Sequence, residues 1–255
     1  MLKSRIIPVL LKNEDGLVKT INFKNPKYVG DPINAVRIFN EKEVDELIIL
    51  DISASRKNLE PDYKSIKMWA DESRMPLCYG GGIKNADQAE KIFSLGVEKV
   101  AVSSSAVNDP KIISEIGNRV GSQSVIGVLD VKKNIFGNYK VYTLNGEIKS
   151  NEKLIPLINK FEDLGVGELV INSIDRDGTM SGYDYELIDI VRKNSNVPLT
   201  VIGGASSLKN IQDLVYKHKI IGAGVGSLFV FKGKYRAVLI NYPSKFEKNE
   251  INSIK

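Results

Sequence analysis

Asp130 closes a short apolar run, Ser124–Asp130, and a carboxylate at the end of such a run can serve as a general acid or base. Asp51 closes another, Glu46–Asp51, and is a second candidate carboxylate. Two glycine clusters, Gly80-Gly81-Gly82 and Gly203-Gly204, end two further runs. One run later, each cluster is answered by small hydroxyl residues, Ser103-Ser104-Ser105 and Gly224-Val225-Gly226-Ser227. Glycine lets backbone come close to an anion, and short loops entering helices offer free N–H groups to phosphate oxygens. Gly81, Gly82, Ser103 and Ser104 therefore make one candidate phosphate site; Gly203, Gly204, Gly226 and Ser227 make another. The competing reading is that these glycines only form tight turns. The polar segment from Asn172 to Asp184 can bind a sugar-phosphate, with Asp177 and Gly178 as the expected contacts. His218 is the only histidine and Cys78 the only cysteine, so the sequence offers no metal-ligand cluster and no Cys/His dyad. It carries no P-loop or dinucleotide fingerprint, and no cofactor is expected.

These residues need elements that bring run ends together. Eight short runs rich in Val, Ile and Leu read as strands: Arg5–Leu11, Glu46–Asp51, Pro76–Tyr79, Lys99–Val102, Ser124–Asp130, Glu168–Asn172, Leu199–Ile202 and Gly222–Val225. Polar residues scarcely interrupt them, as in parallel strands buried on both faces. Between most of them lie stretches of helical period: Pro32–Val44, Tyr63–Ser73, Ala86–Leu95, Glu152–Leu164, Glu186–Asn194 and Leu208–Tyr216. The pattern predicts a (β/α)8 TIM barrel of parallel strands, with a doubly wound open sheet as the competing architecture.

An internal repeat favours the barrel. Glu46-Leu47-Ile48-Ile49-Leu50-Asp51-Ile52 recurs as Glu168-Leu169-Val170-Ile171-Asn172-Ser173-Ile174, 122 positions on. Pro76-Leu77 with Pro198-Leu199, Gly81-Gly82 with Gly203-Gly204, and Ser105 with Ser227 keep that spacing. Ile6–Leu11 matches Val125–Asp130 at 119. Two half-barrel repeats close into one barrel, whereas an open sheet gives no reason for the symmetry. The repeat sets Leu11 where a partner for Asp130 is due, and leucine transfers no proton.

A single barrel domain over 1–255 is expected, with a polar tail over about 245–255. The net charge of +5 comes from scattered lysines. With no basic stripe interleaved with aromatics, it reads as solvated surface rather than a nucleic-acid face. No signal-peptide pattern and no apolar stretch near 18 residues predicts a membrane span. One cysteine precludes an intramolecular disulfide and fits a reducing, cytoplasmic setting.

Over roughly residues 3–240 the chain resembles the cyclase (synthase) subunit of imidazole glycerol phosphate synthase. The strings that carry the resemblance are Arg5-Ile6-Ile7, Gly30-Asp31-Pro32, Asp45-Glu46-Leu47 with Leu50-Asp51-Ile52, Gly80-Gly81-Gly82-Ile83, Gly121-Ser122-Gln123, and Ser173-Ile174-Asp175-Arg176-Asp177-Gly178-Thr179 with Ser181-Gly182-Tyr183-Asp184. The resemblance implies a class I glutaminase subunit docked under the barrel in a heterodimer. Ammonia would pass through the core to a phosphorylated aminoimidazole substrate at the top. It also implies a charged gate at the bottom, here Arg5, Glu46, Lys99 and Glu168, and a substrate-binding Lys19.

The implied top face departs from the family in three places. Leu11 stands for an acid/base aspartate, Ser103 for an asparagine and Ile202 for a serine. The string Pro8-Val9-Leu10-Leu11-Lys12 with Gly16-Leu17-Val18-Lys19-Thr20 is more similar to a paralogous group associated with acetamidino-sugar formation in surface polysaccharide (O-antigen) synthesis. That resemblance implies ammonia supply to a separate sugar amidotransferase, with the barrel's own lyase activity reduced or lost. A working cyclase of histidine synthesis and a non-catalytic, glutaminase-activating scaffold are the alternatives.

Overall fold

The computed structural model describes residues 3–14 and 16–253. Met1 and Leu2 of the N-terminal run, and Ile254 and Lys255 of the tail, lie outside the described residues. Eight parallel strands form the barrel: β1 (Arg5–Asn13), β2 (Leu47–Asp51), β3 (Leu77–Gly80), β4 (Lys99–Val102), β5 (Val125–Lys133), β6 (Glu168–Ser173), β7 (Leu199–Ile202) and β8 (Gly222–Val225). Each pairs with the next in sequence, and β8 pairs with β1, so the sheet has closed on itself. The open-sheet alternative is thereby excluded.

Alternation along each strand builds two cores. Ile7, Val9, Ile48, Cys78, Ala101, Ile126, Val128, Val170 and Ile202 meet inside the barrel. Their neighbours in sequence, such as Ile6, Leu10, Leu47, Ile49 and Leu169, face an outer layer of helices. Cys78, buried in the inner core, has its thiol pushed up by burial and is inert packing.

The long helices are α1 (Pro32–Glu41), α2 (Tyr63–Glu72), α3 (Ala86–Ser94), α4 (Lys111–Val120), α5 (Leu154–Asp163), α6 (Tyr185–Lys193), α7 (Leu208–His218) and α8 (Lys245–Ser253). Capping side chains fix several starts: Asp31 accepts from Asn34 N, Asn85 from Gln88 N, Asp184 from Leu187 N and Ser207 from Asn210 N. Helix α4 lay outside the segments expected to be helical, although Ile112, Ile113 and Ile116 give it a buried face. The described part of the tail is α8. Ser244 N donates to Glu247 Oε2 (2.7 Å) and Glu247 N to Ser244 Oγ (3.3 Å), a reciprocal cap that starts a helix in a polar sequence. Lys248 Nζ then donates to Asp45 Oδ1 (2.9 Å) and so ties the helix to the bottom of the barrel.

β1 and β5 run past their expected ends, because each continues into antiparallel strands above the barrel. Gly16–Ile21 and Lys24–Gly30 extend β1; Tyr139–Thr143 and Ile148–Lys149 extend β5. Each hairpin is clasped to the opposite half. Asn22 Nδ2 donates to Ile174 O (2.9 Å), and Asn145 Nδ2 donates to Ile52 O. Ile52 and Ile174 are counterparts in the repeat, so the two clasps are related by the same pseudo-twofold symmetry as the strands.

The structure also resets one repeat pairing. Ser103 (φ −117°, ψ −87°) and Gly226 (φ −100°, ψ −90°) precede the short helices Ser104–Asn108 and Ser227–Val230. Matching backbone makes Ser104, not Ser105, the counterpart of Ser227, since one extra residue lies between β7 and β8.

Candidate functional site

A cavity of about 590 Å³ opens at the C-terminal ends of the strands. Asp130, Lys19, Asp51, Asp177 and Gly178 line it, as do both glycine–serine sets: Gly81, Gly82, Ser103 and Ser104 on one side, Gly203, Gly204, Gly226 and Ser227 on the other. All thirteen mouth positions expected from the sequence thus meet in one space. The glycines are there for conformation and clearance together. Gly81 (φ +125°) and Gly203 (φ +101°) are left-handed, and a methyl on Gly203 would meet Ser173 O at 2.7 Å. A methyl on Gly81 would collide with Asp51 O, the residue equivalent to Ser173.

Gly178 (φ +67°) lets the loop after β6 touch the first hairpin, and a methyl there would collide with Thr20 O. Beside it, Asp177 Oδ2 accepts from Thr20 Oγ1 (2.7 Å) and Phe23 N (3.3 Å). The expected substrate contacts therefore also hold the hairpin down. Gly178→Ala should cost on the order of 3 kcal/mol, from strain plus the clash, and show as a lowered denaturant midpoint at unchanged m-value.

Lys19 is buried, and its amine donates to Val9 O. Burial lowers its pKa to about 8, with the negative charge of Asp177 opposing the fall. Asp51 is engaged inside the protein. Oδ1 caps the helix Ile52–Arg56 through Ser53 N (3.0 Å) and Ala54 N (3.1 Å), while Oδ2 holds Lys12 Nζ at 2.8 Å. Lys12, almost fully buried in this pair, was not among the expected site residues.

Asp130 is different. Oδ1 accepts from Asn172 Nδ2 (3.1 Å) and Oδ2 from Ser103 Oγ (3.3 Å). Burial pushes its carboxyl up to about 6, against the two hydrogen bonds, and Asp177 adds a small rise. Strand register places Leu11 beside Leu50 where Asp130 stands beside Asn172. The polar pair of one half-barrel is thus an apolar pair in the other. Because the folded pKa lies above the ordinary 3.8, the stability linked to Asp130 is full below that value and is lost as pH rises through about 6. Asp130→Asn should therefore raise the thermal midpoint at pH 8, by the equivalent of roughly 2 kcal/mol, and leave it unchanged at pH 4 in calorimetry.

At the other end of the barrel, Arg5, Glu46, Lys99 and Glu168 form a closed ring. Arg5 reaches Glu46 Oε2 (2.5 Å) and Glu168 Oε1 (2.7 Å); Lys99 Nζ reaches Glu46 Oε1 (2.9 Å) and Glu168 Oε2 (3.1 Å). Thr200 Oγ1 adds a 2.6 Å bond to Glu168 Oε1, a fifth member that sequence reasoning missed. Burial alone would raise the Glu168 carboxyl, but Arg5, Lys99 and Thr200 hold it below the usual range. Against the same burial, the two carboxylates raise Arg5 and Lys99.

A family model described as histidine biosynthesis protein matches residues 5–236. The chain is 55% identical over 251 residues to a protein of Vibrio vulnificus (strain YJ016) named, provisionally, imidazole glycerol phosphate synthase subunit hisF3; the match covers 98% of this chain and 96% of that one. A protein of Leptospira borgpetersenii, named provisionally as subunit HisF, is 54% identical over 252 residues, covering 98% and 99%. The imidazole glycerol phosphate synthase subunit HisF of Streptococcus mutans serotype c is 35% identical over 229 residues, covering 90% and 91%. The chain belongs to the HisF family of imidazole glycerol phosphate synthase subunits.

No helix among the described residues is long and apolar enough to cross a membrane.

Proposed function

We propose that this chain is the synthase-type subunit of a glutamine-dependent complex, in the branch of the family that serves sugar amidation in surface polysaccharide synthesis. A glutaminase docks on the bottom face, and ammonia enters past the ring of Arg5, Glu46, Lys99 and Glu168. The observation that carries this reading is the contrast between the two ends. The ring is complete, while the mouth has Leu11–Leu50 opposite Asp130–Asn172. Proton transfer by a second carboxylate is worth about 10² to 10⁴ in rate, and the position matching Asp130 in the first half is Leu11. Higher identity to the provisionally named subunits than to the streptococcal HisF supports the same branch.

The convergence of Asp130, Lys19, Asp177 and both glycine–serine sets on one cavity favours a second reading, a working cyclase that binds a substrate with a phosphate at each end. A steady-state assay with ammonium chloride and the ribulose-phosphate aminoimidazole intermediate separates the two. Turnover equal to that of an ordinary family member would refute the first. Stimulation of a partner glutaminase by the barrel, with turnover at least about a hundredfold lower, is the expected result. No stimulation of any partner glutaminase would remove every ammonia-receiving version.

A further inference from the structure

The serines of the two glycine–serine cradles each accept a hydrogen bond from a hairpin, and the two hairpins bring unequal charge. Ser104 Oγ accepts from Leu144 N (3.0 Å), a neutral donor in the 139–149 hairpin. Ser227 Oγ accepts from Arg236 Nη2 (3.3 Å). Neither hydroxyl donates to a protein group among the described residues. Both serines line the cavity, so each keeps an O–H to give to an acceptor held there.

Arg236 is held for this contact. It belongs to a small hairpin in which Phe231–Lys232 pairs with Ala237–Val238. Leu239 N donates to Val230 O (2.8 Å) and Asn241 N to Phe229 O (2.9 Å), which folds the hairpin back over the helix Ser227–Val230. Arg236 is left-handed (φ +50°), and its N–H closes the turn on Gly233 O (3.0 Å). Its Cζ lies 4.6 Å from the centroid of the Phe231 ring, and Lys27 of the first hairpin donates to its carbonyl (3.2 Å). Arg236 has no ion-pair partner among the described residues. Its charge reaches the mouth: burial raises the Asp177 carboxyl, and Arg236 is among the groups that oppose the rise.

A second cation stands on the same side. A methyl on Gly226 would lie 3.0 Å from Lys19 Nζ. Arg56, which also lines the cavity, is already paired with Glu147 at 2.6 Å. The repeat makes the cradles alike in backbone, and the hairpins make them unlike in charge.

We propose that Arg236 is a specificity-determining residue. It makes the cradle of Gly203, Gly204, Gly226 and Ser227 the seat of a phosphate dianion, and so fixes which end of a phosphorylated ligand lies there. The guanidinium presents a planar fork to phosphate oxygens, and the Ser227 O–H adds a donor. A phosphomonoester carries a charge of about −1.5 to −2 at neutral pH, whereas a diester carries a single charge. The cradle with two cations therefore selects the monoester. The proposal rests on the reading of the mouth as a phosphate-binding cavity, and holds whether the barrel cyclises or only passes ammonia.

Propyl phosphate and dimethyl phosphate, titrated calorimetrically into the full chain at neutral pH, are the probes. The wild type should bind the monoester in preference to the diester. In Arg236→Met, which keeps a stem over Phe231, that preference should fall at least about tenfold, the loss of a charged hydrogen bond. Arg236→Lys should recover part of it, because charge returns without the fork. Crystals grown with limiting propyl phosphate should show density beside Ser227 before Ser104. Should Arg236→Met lose the fold by circular dichroism, Arg236→Gln, a neutral donor to Ser227, replaces it with the same expected fall. An unchanged preference in the folded variant, or density first beside Ser104, would overturn the role of Arg236 and leave the phosphate reading intact. No binding of propyl phosphate by the wild type would overturn both.

Discussion

Replacing Glu168 by alanine is expected to lower the thermal midpoint by about 10 °C. Glu168 is buried and accepts from Arg5, Lys99 and Thr200 at 2.7–3.1 Å and 2.6 Å. Removing one member of a buried ion-pair set costs roughly 3–5 kcal/mol, because the partners keep their charges without compensation. Arg5 and Lys99 retain side-chain exposures of 30% and 21%, so water screens part of this and places the cost at the lower end. In a domain of this size each kcal/mol moves the midpoint by about 2–4 °C. The effect has a definite pH dependence. The carboxyl is held below its ordinary value of 4.5, so its contribution is full above that value and is lost as pH falls through the lower, folded one. Calorimetry of the wild type and Glu168→Gln should therefore diverge at pH 7 and converge in strong acid. Equal midpoints at pH 7 would mean that the ring is a solvated surface cluster.

Leu11→Asp should create or restore cyclase turnover, by about 10² to 10⁴ over the parent. The physical basis is register. Leu11 holds the place in the first half-barrel that Asp130 holds in the second, at the same height on the same cavity. An aspartate there would line the same cavity as Asp130 and supply a second carboxylate, so that one could serve as acid and the other as base. The measurement is imidazole glycerol phosphate formation from the ribulose-phosphate aminoimidazole intermediate and ammonium chloride, with Leu11→Asn as the uncharged control. A gain in the aspartate variant alone identifies the missing proton carrier. No gain in either would show that Ser103 and Ile202, the other two departures, also limit the chemistry.

Much of this was legible in the sequence because it is periodic. Buried parallel strands require nearly unbroken Val, Ile and Leu, and two similar half-barrels leave the same spacing in Gly81-Gly82 and Gly203-Gly204. Left-handed turns that pass close to neighbouring backbone accept only glycine, so the cradles are written in residue type. The ring was legible only through the family resemblance, which implied Arg5, Glu46, Lys99 and Glu168 as a charged gate; the structure brings the four together.

What stayed hidden depended on distance along the chain. The hairpins over 16–30 and 139–149 are tied down by contacts with the opposite half, among them asparagine clasps 152 and 93 residues away respectively, which no local pattern records. Thr200, Lys12 and Asn172 are ordinary strand residues until closure of the sheet turns them toward the ring, Asp51 and Asp130 respectively. Asp51 has a rim position that suggests a free carboxylate, and only the fold shows it capped and paired.

By itself, the sequence determined the twofold repeat, favoured the barrel over an open sheet, and set leucine at the position matching Asp130, because each follows from residue type and spacing. Only the tertiary structure decided which carboxylate at the mouth is free. That depends on where Lys12, Lys19 and Asn172 spend their donors, and donors are allotted by proximity in space, not along the chain.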